Sequence, residues 1–117
     1  MERVGAMRRK SLVFAKRMVR IYQYLTTEKK EFVLSKQIVR SGTSIGANIS
    51  EAQYAISRKD FQNKLYIALK ECAETLYWLE LLTDCDYLEQ DLYDSLQNDC
   101  EELRKMLSAA TKTLRET

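Results

Sequence analysis

The sequence predicts an all-α protein, an antiparallel up-down-up-down four-helix bundle built as a single domain over residues 1–117. Three observations favour this fold class. Four stretches carry apolar residues at helical spacing, and the chain has no Pro and only three Gly, so it lacks the turn residues of a many-stranded sheet. An apolar content of 45% beside 31% charged residues is typical of a globular domain with one core.

The first helix is predicted at about residues 7–25. Phe14 and Met18 lie on one apolar stripe, and Leu12 and Val19 lie on a second stripe beside it. The remaining face is basic, and we expect it to present positive charge to the solvent.

The second helix is predicted at about residues 32–55, because apolar spacing continues through the small residues around Gly42 and Gly46. Each Gly costs about 1 kcal/mol relative to Ala inside a helix. We therefore expect another helix or a ligand to approach the backbone closely at these two positions.

The third and fourth helices are predicted at about residues 58–84 and 88–115. Ser57 is a candidate N-cap with Asp60 three residues later, and Ile56 is placed to pack on Phe61 as a hydrophobic staple. The fourth helix has near-heptad Leu spacing from Leu88 onward.

The second helix also carries a structural polar motif. Its members, which must bond to water, to neighbouring helices or to a ligand if they leave solvent, are Ser41, Ser44, Asn48 and Glu51. Arg40 stands one turn before Ser44 and is suited to a bidentate contact with phosphate or carboxylate. It is equally suited to bridge an acid on the third or fourth helix, or on a neighbouring chain.

Charge is divided unevenly along the chain. Residues 1–60 carry 13 Lys or Arg against 5 Asp or Glu, and residues 61–117 carry 6 against 12, so the halves stand at +8 and −6 and sum to +2. Such a basic half can bind nucleic-acid phosphates, or it can simply attract the acidic helices. The candidate nucleic-acid-binding residues are Arg8, Arg9, Lys10, Lys16, Arg17, Arg20, Lys36 and Arg40.

Catalytic chemistry is not indicated. The chain has no His, so His-dependent nucleophiles and the usual neutral-pH general base are absent, and we predict no enzymatic activity, no metal and no cofactor. Glu71 and Glu74 could face Glu51 across a bundle, but surface glutamates at helical spacing explain them better.

The cellular setting expected from the sequence is the cytoplasm. Three Cys without CxxC spacing suit reduced thiols, and no stretch resembles a signal peptide or a membrane span. On the third helix, apolar surface extends beyond the stripe that faces the core. Its members, the candidate oligomer interface, are Tyr66, Tyr77, Trp78 and Leu81.

Two stretches of sequence resemble a known family. Ser-Ile-Gly-Ala-Asn-Ile-Ser-Glu at residues 44–51 is similar to the Ser-Ile-x-x-Asn-Ile-x-Glu motif of bacterial four-helix bundle proteins associated with intervening sequences of large-subunit ribosomal RNA genes. The resemblance extends through residues 60–82 and covers roughly residues 10–115. Ala52 stands where that family usually has Gly, which favours a helix that runs on.

The resemblance implies a non-enzymatic bundle that assembles into a ring, with five subunits expected. The family is similar to accessory proteins of diversity-generating retroelements, whose basic ring binds nucleic acid and a reverse transcriptase, so such an enzyme is a candidate partner. Two functional hypotheses follow. In one, the ring binds structured RNA or DNA through the basic helices; in the other, it is a protein-interaction scaffold that binds no nucleic acid.

Overall fold

This computed structural model describes residues 2–116, which form four α-helices joined by short loops, and it describes the side chains of residues 3–114. The helices are α1 (Glu2–Thr27), α2 (Leu34–Ala52), α3 (Arg58–Asp84) and α4 (Gln90–Glu116). α1 packs on α2, α2 on α3 and α3 on α4, and a smaller contact joins α4 to α1. Ion pairs show the relative direction of the helices, since Lys10 pairs with Glu102 and Arg17, later on α1, pairs with Asp99, earlier on α4. The predicted antiparallel four-helix bundle, 46 × 21 × 20 Å in extent, is confirmed.

α1 is longer than predicted, since it begins at Glu2 rather than near residue 7 and ends at Thr27. The reason lies in its first turns. Val4 and Met7 are buried and extend the core stripe towards the N-terminus. Gly5 between them does not interrupt the helix.

Only one of the two apolar stripes predicted on α1 faces the core. Phe14 and Met18 are buried, whereas Leu12 and Val19 are 47% and 44% exposed. A helix in a bundle turns a single apolar stripe inward. On α1 this is the stripe of Phe14 and Met18, which Val4 and Met7 extend towards the N-terminus. The second stripe is left on the surface beside α2.

α2 is shorter than predicted at both ends. The carboxylate of Glu31 accepts hydrogen bonds from the backbone N–H groups of Val33, Leu34 and Ser35, at 3.1, 3.0 and 2.7 Å, and so fixes the first turn. Beyond Ala52 the backbone closes through hydrogen bonds to carbonyls three residues earlier, which ends the helix before residue 55.

The small residues of α2 allow α1 to approach closely, as the sequence predicted. A Cβ at Gly42 would stand 2.3 Å from Cγ and 2.5 Å from Sδ of Met18. A Cβ at Gly46 would stand 3.0 Å from Oγ of Ser11. The two glycines therefore fix how near the two backbones lie.

The N-cap predicted for α3 is present, but the hydrophobic staple is not. Oγ of Ser57 accepts a hydrogen bond of 3.0 Å from the backbone N–H of Asp60, and the Asp60 carboxylate accepts one of 3.1 Å from the N–H of Ile56. The side chain of Ile56 is 93% exposed, so it does not pack on Phe61. The reciprocal hydrogen bonds fix the chain entry without it.

α4 begins at Gln90, two residues later than predicted. Asp86 adopts a φ of 67°, and the first helical hydrogen bond runs from the N–H of Tyr93 to the carbonyl of Glu89. Leu88 is still buried, because the loop folds it onto the core. Leu88 therefore fits the apolar repeat of α4 because its side chain is buried, although it is not part of the helix.

Candidate functional site

The cations of α1 divide according to the helix face on which they lie. Lys10 and Arg17 lie on the side that faces α4, where Nζ of Lys10 is 3.1 Å from Oε1 of Glu102 and Nη1 of Arg17 is 2.6 Å from Oδ2 of Asp99. These two residues, which the sequence predicted to bind nucleic acid, therefore form ion pairs that join α1 to α4.

The other exposed cations in the middle of α1 form a second set, which we name the basic row: Arg8, Arg9, Lys16 and Arg20. All four side chains are exposed, and none has an acid within 4.0 Å among the described side chains. At a rise of 1.5 Å per residue the row spans about 18 Å along the helix. Arg9 borders a shallow depression that also holds Glu102, so its charge is the most offset of the four.

Three further exposed cations follow α1 along the chain. Lys36 lies on the first turn of α2 and is exposed, as the sequence predicted. Lys29 and Lys30, in the loop after α1, are also exposed and were not among the predicted residues. Nζ of Lys29 stands 6.0 Å from the ring centroid of Tyr24, and Lys30 adopts a φ of 54°. The Lys-Lys pair after the last apolar residue of α1 was the signal for them.

Arg40 is held by α3, one of the alternatives that the sequence left open. Its guanidinium donates to the carboxylates of Glu71, at 3.1 Å, and Glu74. The indole N–H of Trp78 donates to the same Glu74 carboxylate at 2.9 Å. Hydrogen bonds from Trp78 and Arg40 lower the pKa of Glu74. Arg40 thus fastens α2 to α3, and Glu71 and Glu74 face this cation rather than Glu51.

The structural polar motif finds its partners inside the bundle. Oγ1 of Thr75 donates to Oγ of the buried Ser41 at 2.9 Å, which joins α3 to α2. Ser44 and Asn48 donate to carbonyl oxygens of their own helix, at 2.7 and 2.8 Å. Glu51 is 3.4 Å from Nζ of Lys64. Among the described side chains no buried nitrogen or oxygen lacks a hydrogen-bond partner, so the motif is explained by packing.

Negative charge gathers at the end of the bundle where α3 passes into α4. Burial first, and then the carboxylates of Glu80, Asp84 and Asp94, raise the pKa of Tyr93. A raised tyrosine pKa is the response expected near several anions. Carboxylates therefore cluster at this end of α3 and α4, whereas the middle of α1 carries exposed cations.

The outward face of α3 carries most of the predicted oligomer interface. Tyr77 is 61% exposed, and its ring meets Trp78 edge to face with centroids 5.1 Å apart. Tyr66 and Leu81 are half-buried. Trp78 is half-buried as well, packed against the core and bonded to Glu74, so its indole serves this fold in addition to any contact outside it.

The described residues offer little to a metal or cofactor. Within residues 3–114 no group of three His, Cys, Asp or Glu is arranged to hold a metal ion. The thiols are free; Cys72 and Cys100 are buried and Cys85 is exposed. None of the helices described is long and apolar enough to cross a bilayer.

Comparison with known proteins places the chain. A family model described as 23S rRNA-intervening sequence protein matches residues 6–109. The chain belongs to this family. The resemblance seen in residues 44–51 and 60–82 is thereby confirmed.

A solved structure supports the same assignment. The chain is similar to the crystal structure, at 1.70 Å resolution, of a protein of unknown function from the S23 ribosomal protein family of Bacteroides thetaiotaomicron. The two are 55% identical with a TM-score of 0.92, over 94% of this chain and 98% of that one. No match was found among curated proteins. The family match includes the basic row and the polar motif, so both lie within the part shared with the 23S rRNA-intervening sequence proteins.

Proposed function

We propose that this protein is a non-enzymatic, ring-forming homo-oligomer of the cytoplasm that binds structured RNA or DNA through the basic row of α1 together with Lys36. The observation that carries the proposal is the division of cations on α1. Lys10 and Arg17 are paired with acids of α4, and the four cations of the basic row have no acid partner among the described side chains. The family description, which names ribosomal RNA, agrees with a polyanionic ligand.

Electrostatics favours an extended polyanion over a small anion. The basic row runs along one helix for about 18 Å and faces outward, so its charges cannot converge on one small ligand. A nucleic-acid backbone offers successive phosphates along such a line and releases a counterion at each contact. Lys10, Arg17 and Arg40, committed to Glu102, Asp99 and the α3 glutamates, are left out of the proposed surface.

The absence of enzymatic activity is part of the proposal. Enzymes that use acid–base chemistry place titratable groups with perturbed pKa values in a cleft. Here the pKa of Glu74 is lowered by hydrogen bonds from Trp78 and Arg40, which join α2 to α3, and that of Glu101 by a hydrogen bond from Arg104 one turn away. Neither carboxylate is poised as a general acid or base.

Ring assembly is supported by the outward face of α3. Tyr77 is a large, largely exposed ring flanked by Tyr66 and Leu81, and such patches mark contacts between subunits. The resemblance to ring-forming relatives suggests five copies. Light scattering of the purified protein tests the stoichiometry, and Tyr77→Ser should shift it towards monomer.

The test of nucleic-acid binding is a charge-matched pair of variants. Arg8→Gln/Lys16→Gln/Arg20→Gln removes three cations from the basic row, whereas Lys70→Gln/Lys105→Gln/Lys112→Gln removes three exposed cations from α3 and α4. With a labelled 20-base-pair duplex, the first variant should lower the steepness of log K against log salt by about 3, and the second should leave it unchanged. Equal effects would show that only net charge matters, and no retention by the wild-type protein at 50 mM salt would refute the proposal.

A protein scaffold is the second candidate, favoured by the acidic groups around Tyr93. In a scaffold, the basic row of one subunit would lie on the acidic end of the next. Such an assembly should dissociate as salt rises, whereas a ring closed by the α3 face should persist. Salt-dependent dissociation together with no nucleic-acid retention would favour the scaffold.

A further inference from the structure

The basic row offers charges without aromatic rings. Among the described residues, the exposed aromatic side chains are Phe32 and Tyr54 in loops and Tyr77 on α3. Leu12 and Val19 lie between the cations of α1, and the tyrosines farther along the helix, Tyr22 and Tyr24, are half-buried. Proteins that hold single strands combine a basic groove with rings on which successive bases stack. A row of cations without rings can contact phosphates but cannot hold unstacked bases.

We infer that the nucleic acid bound by the basic row is double-stranded, and that it is recognised through its phosphates without regard to sequence. This inference rests on the proposed function and specifies its ligand. A duplex carries one negative charge per about 1.7 Å of axis and holds its phosphates in a fixed lattice. A single strand has lower charge density and must also be ordered, at a cost in conformational entropy.

The shape of the bundle favours contact between α1 and the outside of a duplex. The helix is flanked by α2 and α4, and the bundle is 21 × 20 Å in cross-section. The major groove of B-form DNA is about 12 Å wide, and that of A-form RNA is too narrow for side chains to read. With α2 and α4 packed against it, we expect α1 to lie across the phosphate backbone. The cations meet the backbone from outside, where sequence is not displayed.

The salt dependence of the binding constant also differs between duplex and single strands. Each phosphate contact contributes a slope of about −0.9 for duplex and about −0.7 for single strands. With four contacts, raising salt from 50 to 200 mM should weaken duplex binding by about 150-fold and single-strand binding by about 50-fold. The preference for duplex should accordingly be largest at low salt.

Fluorescence anisotropy with the full chain tests the inference. The probes are a labelled 20-base-pair duplex, each of its strands alone, and a second duplex of unrelated sequence, all at 50 mM salt. We expect either duplex to bind at least tenfold tighter than the strands and the two duplexes to agree within about twofold. Arg8→Gln/Lys16→Gln/Arg20→Gln should weaken duplex binding at least tenfold while keeping the helical circular dichroism of the wild-type protein.

Phe32→Ala separates stacking from phosphate binding, because Phe32 is an exposed ring in the same loop as Lys29 and Lys30. The variant should bind duplex like the wild-type protein. Strands bound as tightly as duplex, or a tenfold loss in Phe32→Ala, would overturn the duplex preference and leave the proposed function standing. Binding of neither form would refute the proposed function and the inference together.

Discussion

The close approach of α1 to α2 predicts that Gly42→Ala destabilises the fold. Helix propensity alone would favour Ala by about 1 kcal/mol. Yet the new Cβ would lie 2.3 Å from Cγ, 2.5 Å from Sδ and 3.2 Å from Cβ of Met18, a side chain with no exposed surface. Since Met18 cannot move outward, the helices must separate or the core must repack, at a cost of about 1–3 kcal/mol. The net expectation is a loss of up to about 2 kcal/mol.

The assay is thermal and urea unfolding followed by circular dichroism, at one fixed protomer concentration because assembly would shift the midpoint. A chain of this size should lose about 4 °C in Tm for each kcal/mol. Gly5→Ala is the matched control, since its Cβ would meet only Nη1 of Arg9 at an ordinary 3.4 Å. This variant should gain up to about 1 kcal/mol from helix propensity.

A double-mutant cycle identifies the cause. In a Met18→Ala background the space beside Gly42 is open, so Gly42→Ala should become neutral or stabilising even though Met18→Ala is itself costly by about 2–5 kcal/mol. Gly42→Ala as stabilising as Gly5→Ala in the wild-type background would refute the close approach. A cost that persists unchanged without the Met18 side chain would refute Met18 as its source.

Three other experiments test single contacts of the bundle. Burial raises the pKa of Glu31, but the hydrogen bonds that its carboxylate accepts from backbone N–H groups outweigh burial and lower that pKa. The stabilisation is therefore present above the ordinary pKa of a glutamate and is lost as pH falls through the lowered folded-state pKa. Glu31→Gln should lower Tm at pH 7, and its difference from the wild-type protein should shrink as the pH falls through the acid range. Arg40 is 50% exposed, so Arg40→Gln should cost no more than about 1 kcal/mol while shifting the emission of Trp78, and unchanged emission would contradict the shared contact. A thiol reagent should label Cys85 alone in the folded protein and all three cysteines after unfolding; labelling of Cys85→Ser without denaturant would contradict the burial of the other two.

The fold was predictable because its signals are local to each helix. The heptad of Phe14 and Met18 and the spacing through Gly42 are periodic within one segment. The choice between the Phe14 stripe and the Leu12 stripe was not decided, because both have helical spacing and only the neighbouring helices distinguish them. Chain entry at Ile56 was predicted wrongly because hydrogen bonds to Asp60 took the place of apolar contact.

The candidate site was less predictable, because the fate of a surface cation depends on what stands across from it. Lys10 pairs with an acid 92 residues away and Arg40 with acids 31 and 34 residues away. The neighbouring sequence does not distinguish Lys10 from the preceding Arg9, which has no ion pair among the described side chains. The two side chains differ by about 100° of rotation around the helix, and the position of α4 decides which of them meets an acid.

The position of a cation around α1 also decides whether it stabilises the fold or is available for binding. Lys10 and Arg17 join helices, so removing them should weaken the bundle, whereas Lys16 and Arg20 lie one turn apart with like charge and repel each other by a few tenths of a kcal/mol. Neutralising the outward pair should leave Tm unchanged or raise it slightly at low salt, and added salt should remove the gain. A surface that is electrostatically unfavourable in the free protein becomes favourable only beside a polyanion. If the variant of Arg8, Lys16 and Arg20 instead melted well below the wild-type protein, those cations would belong to the fold, and the binding surface would have to be sought on another face.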